Sequence, residues 1–239
     1  MVIAILASLL LEGVSQAKVR AQRIECVNNV RQLGIGLQAF MAENGSYPLL
    51  IDPGHGGGWM ALLQHTELDA PGKPVRHVPF SEWSGEGVWK CPTAHKPSSW
   101  PKDVGYNSYG YNWYGMGAAS DIEVFGLGGH HFFDAAHLAG PPVRESEVVS
   151  PSEMMAIGDG FVGTGDTVKD GKLALWRTYD NTGYGNTQTA YARHHGKGNV
   201  VFCDGHVDSP TLKFLFEDTS PAALIRWNRD HLPHRELLQ

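Results

Sequence analysis

His194, Asp204 and His206 lie in one short stretch near the end of the chain, and Asp159 ends an earlier apolar run at Asp159-Gly160. Two imidazoles with one or two carboxylates are donor types that hold a divalent metal. Neutral histidine and aspartate suit zinc, whereas aspartate with carbonyl oxygens suits calcium. The spacing follows no standard zinc signature. A plainer reading stays open beside it, in which Asp204-Gly205 serves turn geometry and His194 hydrogen-bonds backbone at a sheet end. His130, His131 and His137 sit in a Gly-rich stretch, either as further ligands or as solvated side chains. No Gly-x-Ser-x-Gly elbow, His-Glu-x-x-His pair, phosphate loop or dinucleotide fingerprint occurs, so the expectation is that the chain is not an enzyme and has no catalytic or cofactor-binding residues. A metal-dependent hydrolase built on His194, Asp204 and His206 is the catalytic alternative.

Two other residue types carry possible chemistry. Cys26, Cys91 and Cys203 are too few for a disulfide scaffold and contain no Cys-x-x-Cys pair. One internal bridge at most is available, and Cys26 to Cys91 is the first pair to test, because Cys203 belongs to a strand-like run. The aromatic set Trp83, Trp89, Trp100, Tyr106, Tyr109, Tyr111, Trp113 and Tyr114 offers ring faces to sugars, which makes a carbohydrate- or protein-binding module a second functional class. Core packing is the simpler use of such large apolar areas.

Positioning these residues falls to a chain of 239 residues with 42% apolar content, enough for one domain with a sizeable core. Nineteen Lys and Arg against 25 Asp and Glu give a net charge of −6, with no basic run, which argues against a nucleic-acid partner. Gly56 to His65 reads as a glycine loop and short helix, Val88 to Pro92 as a strand ended by proline, and Tyr106 to Tyr114 as an exposed strand or extended loop. Gly126 to Gly140 reads as a long insertion. Pro151 to Gly160 reads as a buried strand running into a turn. Thr187 to Val207 reads as a meander whose Asp204-Gly205 pair predicts a type I′ hairpin with both residues at positive φ. A last helix starts at Pro221 behind Thr219-Ser220.

The amino terminus is different. Met1 to Leu11 has no charge, and Val2, Ile3, Ile5, Leu6, Leu9, Leu10 and Leu11 form its apolar surface. Eleven residues are about half of a ~20-residue membrane span. Ser15-Gln16-Ala17 offers a weak signal-peptidase alternative, without the basic region that should precede it. Apolar residues continue at Val14, Ala17, Ala21, Ile24, Val27, Val30, Leu33, Leu37 and Met41, a helical stripe that Asn44-Gly45 and Tyr47-Pro48 stop. Such a helix is about 65 Å long, so its first part must project or be covered by other copies or by lipid.

The amino-terminal run ILASLLLEGVSQAKVRAQRIECVNNVRQLGIGLQAFMAENGSYP resembles the helix of type IV pilin-like proteins and type II secretion pseudopilins. Arg193, His194, Asn199, Asp204, Gly205 and His206, within RHHGKGNVVFCDGHV, resemble the signature of prepilin-type proteins with a histidine, nine residues and Asp-Gly. Cys91-Pro92, Tyr109-Gly110-Tyr111-Asn112, Gly158-Asp159 and RWNRDHLPH are similar to further landmarks of that family. The resemblance implies an α+β fold, with a long amino-terminal helix over 1–45 packed on a head over 46–239 that holds a small antiparallel sheet and an insertion around 115–145. It also implies a structural subunit whose partners are other pilin-like subunits and secretion machinery or cargo, at an inner membrane with a periplasmic or cell-surface head. Heads of this kind often carry calcium, and Asp166, Asp170 and Gly171 in GTGDTVKDG come nearest to a loop for it, with a solvated loop as the alternative. The family's cleavage site, first Phe and early acidic residue are not found before Met1-Val2. The expectation is a true start upstream that completes the membrane segment, and the alternative is a soluble periplasmic or secreted head.

Overall fold

The three- and four-residue spacing of apolar side chains folds into one helix, α1 (Val2–Asn44). In the computed structural model, residues 2–49, 51–52, 57–64, 87–94, 108–116, 124–130, 141–160, 193–216 and 218–238 are described. The Gly45 N–H closes the last turn of α1 on the Met41 carbonyl at 2.7 Å. After it come β1 (Ile51–Asp52), β2 (Gly57–Gly58) and α2 (Trp59–Gln64), then a 3-10 turn at Gly87–Trp89. That turn stands where a strand ending at Pro92 was expected. Strands β3 (Tyr109–Tyr111), β4 (Met155–Asp159), β5 (Val200–Phe202) and β6 (Val207–Asp208) form an antiparallel sheet in the order β3-β4-β5-β6. Two short helices follow, α3 (Leu212–Phe216) and α4 (Pro221–Leu224), with α4 continuing as a 3-10 turn over Ile225–Trp227 and another 3-10 turn at Arg235–Leu238. The class is α+β.

The sheet is covered on both faces. Val201, Ile157, Tyr109 and Tyr111 pack into one core with Cys26, Val30, Leu33 and Leu37 of α1 and Trp59 of α2. Val200, Phe202 and Met155 pack into a second core with Leu212, Leu215, Leu224 and Trp227. Strand alternation explains the division in β5, where Val201 points one way and its two neighbours the other. In β4 a bulge between Met155 and Ile157 breaks the alternation. Ala156 and Ile157 both join the α1 core, while Met155 joins the other. Beyond the bulge the period of two resumes, so Asp159 points to the α1 side; an unbroken strand would have placed Met155, Ile157 and Asp159 together on the far face.

Helix α1 lies close against β5. A Cβ on Gly34 would stand 2.5 Å from Cγ2 of Val201, so only glycine permits this approach. Asn29 Nδ2 donates to the Lys90 carbonyl at 3.0 Å and Gln38 Nε2 to the Cys203 carbonyl at 2.6 Å, tying the same half of the helix to the head. Among the described residues the other half has no such seat. Ile3 is 83% exposed and Leu10 69%, and Leu6, Leu11, Val14 and Ile24 are also exposed, while Cys26 is fully buried. The side chains of Val2, Ile5 and Leu9 lie outside the described ones. Among the described residues no helix is long and apolar enough to cross a membrane.

The β5–β6 hairpin differs from the expected type I′ turn. Four residues, Cys203 to His206, link the strands; Gly205 has φ +90 and Asp204 is not in the left-handed region. Asp204 Oδ1 instead accepts from the His206 backbone N–H at 3.0 Å, an Asx turn that needs one glycine only. Tyr109 to Tyr111 is buried rather than exposed, and Trp59 stacks on Tyr111 with ring centroids 5.2 Å apart. Asn112 Nδ2 donates to the Met155 and Trp227 carbonyls at 2.8 and 2.9 Å, which fastens Tyr109-Gly110-Tyr111-Asn112 to the RWNRDHLPH segment.

Candidate metal centre

Four chain segments deliver one polar side chain each to the interface between α1 and the sheet. Cys26 extends the buried face of α1, with Val30, Leu33 and Leu37 following at spacings of four, three and four. Cys91 opens a turn closed by the Ala94 N–H on the Cys91 carbonyl at 2.9 Å. Asp159 ends β4, turned to this face by the bulge. His194 comes from the 3-10 turn Arg193–His195, where it adopts φ 51 and ψ 27 and is followed by His195 at φ 55. Two successive non-glycine residues in the left-handed region are held there against a cost of order 1–3 kcal/mol each, a strain that clusters at functional sites.

The side chains converge. The ligand atoms of Cys26, Cys91, Asp159 and His194 lie within 4.8 Å of one another, and all four residues are buried. Cys91 Sγ is 3.3 Å from His194 Nε2, which is 3.5 Å from Asp159 Oδ2; Cys26 Sγ is 3.6 Å from Asp159 Oδ1. An outer ring fixes them. The Asn199 backbone N–H and Nδ2 both donate to Asp159 Oδ2, at 2.8 and 3.0 Å, Thr93 Oγ1 is 3.1 Å from Cys91 Sγ, and the Tyr109 hydroxyl is 3.1 Å from Cys26 Sγ. His194 Nδ1 is buried without a hydrogen-bond partner among the described residues.

The electrostatics are those of charge crowded into a dry site. The Cys91 thiol beside it and burial push Cys26 well above the ordinary thiol range, while the same contact holds Cys91 below it, helped by His194. Burial alone would lower His194, but hydrogen bonds to Asp159 and Cys91 overcome it and raise the imidazole to about 9. Burial likewise raises the Tyr109 hydroxyl, keeping it a neutral donor. Thiols, an imidazole and a carboxylate held this close can bind a metal ion.

Of the four residues expected from the sequence as metal ligands, the structure brings His194 and Asp159 together and leaves Asp204 and His206 out. Those two pair with each other on the hairpin turn, Asp204 Oδ1 to His206 Nδ1 at 2.6 Å, both partly exposed, with His206 stacked on Phe202. His194 contacts side chains rather than the backbone of a sheet end. Cys26 and Cys91, read from the sequence only as a candidate bridge, are free thiols here and supply the other two donors of the cluster; Cys203, also free and buried, is not part of it. The signal for Cys26 was present, because counting cysteine as apolar places it on the α1 stripe. Asn199 and Gly205 of the signature serve the site and the hairpin respectively, and the Arg193 side chain lies outside the described ones.

The remaining candidates resolve as follows. His130 Nε2 pairs with Glu147 at 2.8 Å; His131, His137, Asp166, Asp170 and Gly171 lie outside the described residues. Trp89, Tyr109, Tyr111 and Tyr114 are buried and Trp113 is half-buried, so these rings pack the interior; Trp83, Trp100 and Tyr106 lie outside the described residues. Compared with protein-family models, with curated proteins and with solved structures, the chain shows no significant match to any of the three.

Proposed function

We propose that the chain is a structural subunit of a pilin-like or pseudopilin-like assembly, joined to its neighbours through the first half of α1. One observation carries this reading: from Val2 to Glu25, about 36 Å of helix at 1.5 Å per residue, α1 leaves Ile3, Leu6, Leu10, Leu11, Val14 and Ile24 exposed, while from Cys26 onward it is seated in the head. Exposed apolar residues over such a length mark an interaction surface. The occupant that fits is the same half of another copy, because Glu12 and Glu25 flank the basic Lys18, Arg20 and Arg23, so staggered helices meet opposite charges beside their apolar residues. The resemblance of α1 and of the His194 to His206 stretch to pilin-like proteins supports the same arrangement. It would place the helices at an inner membrane and the head outside it, against secretion machinery or cargo.

Analytical ultracentrifugation of the full chain, with and without detergent, tests the reading. Concentration-dependent association is expected, and it should disappear in the double variant Leu6→Glu, Leu10→Glu. A chain that stays monomeric at the highest concentrations reached, or a double variant that associates like the parent, overturns it.

A further inference from the structure

We infer that Cys26, Cys91, Asp159 and His194 hold a zinc ion that clamps the root of α1 to the head as a closed structural site. The donor set selects the ion. Calcium takes six to eight oxygen ligands, whereas two sulfurs, one imidazole nitrogen and one carboxylate oxygen are four donors of the types zinc binds. The spacing agrees as well. Zinc bonds of about 2.0–2.3 Å imply tetrahedral edges of about 3.3–3.8 Å. Cys91 Sγ to His194 Nε2 at 3.3 Å, His194 Nε2 to Asp159 Oδ2 at 3.5 Å and Cys26 Sγ to Asp159 Oδ1 at 3.6 Å fall in that range. The last two run through the two oxygens of one carboxylate, and the ligand atoms all lie within 4.8 Å of one another.

Charge argues for an ion in the same place. In their metal-binding forms the two thiolates, the carboxylate and the neutral imidazole carry −3, and a divalent cation reduces that total to −1. The rest is met by donors already in position: the Asn199 N–H groups on Asp159, the Thr93 hydroxyl beside Cys91 and the Tyr109 hydroxyl beside Cys26. Such outer partners orient ligands and tune a metal. Binding requires both cysteines as thiolates and His194 Nε2 unprotonated, so the protons these three groups carry beforehand are released to solvent, and no electron is transferred. Four protein donors, all buried, complete a tetrahedral shell, which is the make-up of a structural rather than a catalytic site.

The clamp joins parts of the chain far apart in sequence. Cys26 and Asp159 are 133 residues apart and Cys91 and His194 are 103 apart. Cys26 is also the first buried residue of α1 among the described ones, so the ion would sit where the projecting half gives way to the seated half. It needs no assembly of subunits to form, and its presence or absence is decided separately from association.

The full chain, produced and desalted under reducing conditions, is assayed for metal by mass spectrometry and for thiols after denaturation with a chelator. Stoichiometric zinc with all three cysteines reactive is expected. Cobalt in place of zinc should give a thiolate-to-metal charge-transfer band, Cys91→Ser should lose the metal, and Asp204→Ala, altered outside the cluster, should keep it. Sub-stoichiometric metal in the reduced wild-type chain even after zinc is supplied, a Cys26–Cys91 disulfide that persists in it, or a Cys91→Ser protein with undiminished zinc overturns the proposal.

Discussion

The two halves of α1 have similar composition and opposite surroundings. Val14, Ala17, Ala21 and Ile24 repeat at three- and four-residue spacing, just as Val30, Leu33, Leu37 and Met41 do. Yet Val14 and Ile24 stand in solvent, while Val30 and Leu37 are fully buried against the sheet. Amphipathic periodicity therefore names the face of a helix that seeks a partner without saying whether that partner lies in the same chain. The difference at Cys26 is made by the head: Lys90 and Cys203 offer carbonyls to Asn29 and Gln38, and Val201 fills the hollow over Gly34.

The largest test of that contrast is Leu37→Ala against Leu11→Ala. Leu37 is fully buried, so its truncation should cost about 2–5 kcal/mol in urea unfolding, while Leu11→Ala should change little. Equal effects would mean that the halves do not differ in packing. Next is a pair of identical substitutions with opposite expected signs. Gly34→Ala gains about 1 kcal/mol of helix propensity but forces Cβ onto Val201 Cγ2, and overpacking of this kind costs about 1–3 kcal/mol. The steric cost should win, lowering the denaturation midpoint. Gly13→Ala, with nothing within 4 Å of its Cβ, should raise the midpoint by the equivalent of about 0.5–1 kcal/mol. A stabilised Gly34→Ala chain would show that α1 sits farther from β5.

Smaller still is Gln38→Ala, which removes the hydrogen bond to the Cys203 carbonyl and should cost about 0.5–1.5 kcal/mol by the same measurement. The smallest change in stability, within about 0.5 kcal/mol, is expected for Leu10→Ser, because Leu10 touches solvent in the single chain. Its association, followed by sedimentation, should nevertheless weaken clearly. Intact association would move the assembly surface elsewhere on the helix.

Much of the fold was legible because it depends on local signals. Periodicity marked α1, the apolar run before Asp159 marked β4, and Asp204-Gly205 marked the β5–β6 hairpin, although the Asx turn replaced the type I′ geometry. The four-residue cluster was half legible. His194 and Asp159 were singled out as donors, but Asp204 and His206 were grouped with them because they are near in sequence. They bond to each other instead, since a hairpin turn points its polar side chains away from the core. The two cysteines were read as the first bridge to test, since Cys203 belonged to a strand-like run, and no local spacing joined either of them to His194 or Asp159.

By itself the sequence determined the length and polarity of α1 and, through a resemblance, the α+β class, and it singled out two of the four clustered side chains, His194 and Asp159. Only the tertiary structure decided which side chains meet. The bulge in β4 reverses the face of Asp159, the left-handed backbone at His194 aims its ring inward, and the close crossing at Gly34 lays α1 against the sheet. Each of these is a long-range packing outcome that a one-residue shift would undo. A pattern read along the chain shows which residues share a face, and packing decides what that face is pressed against.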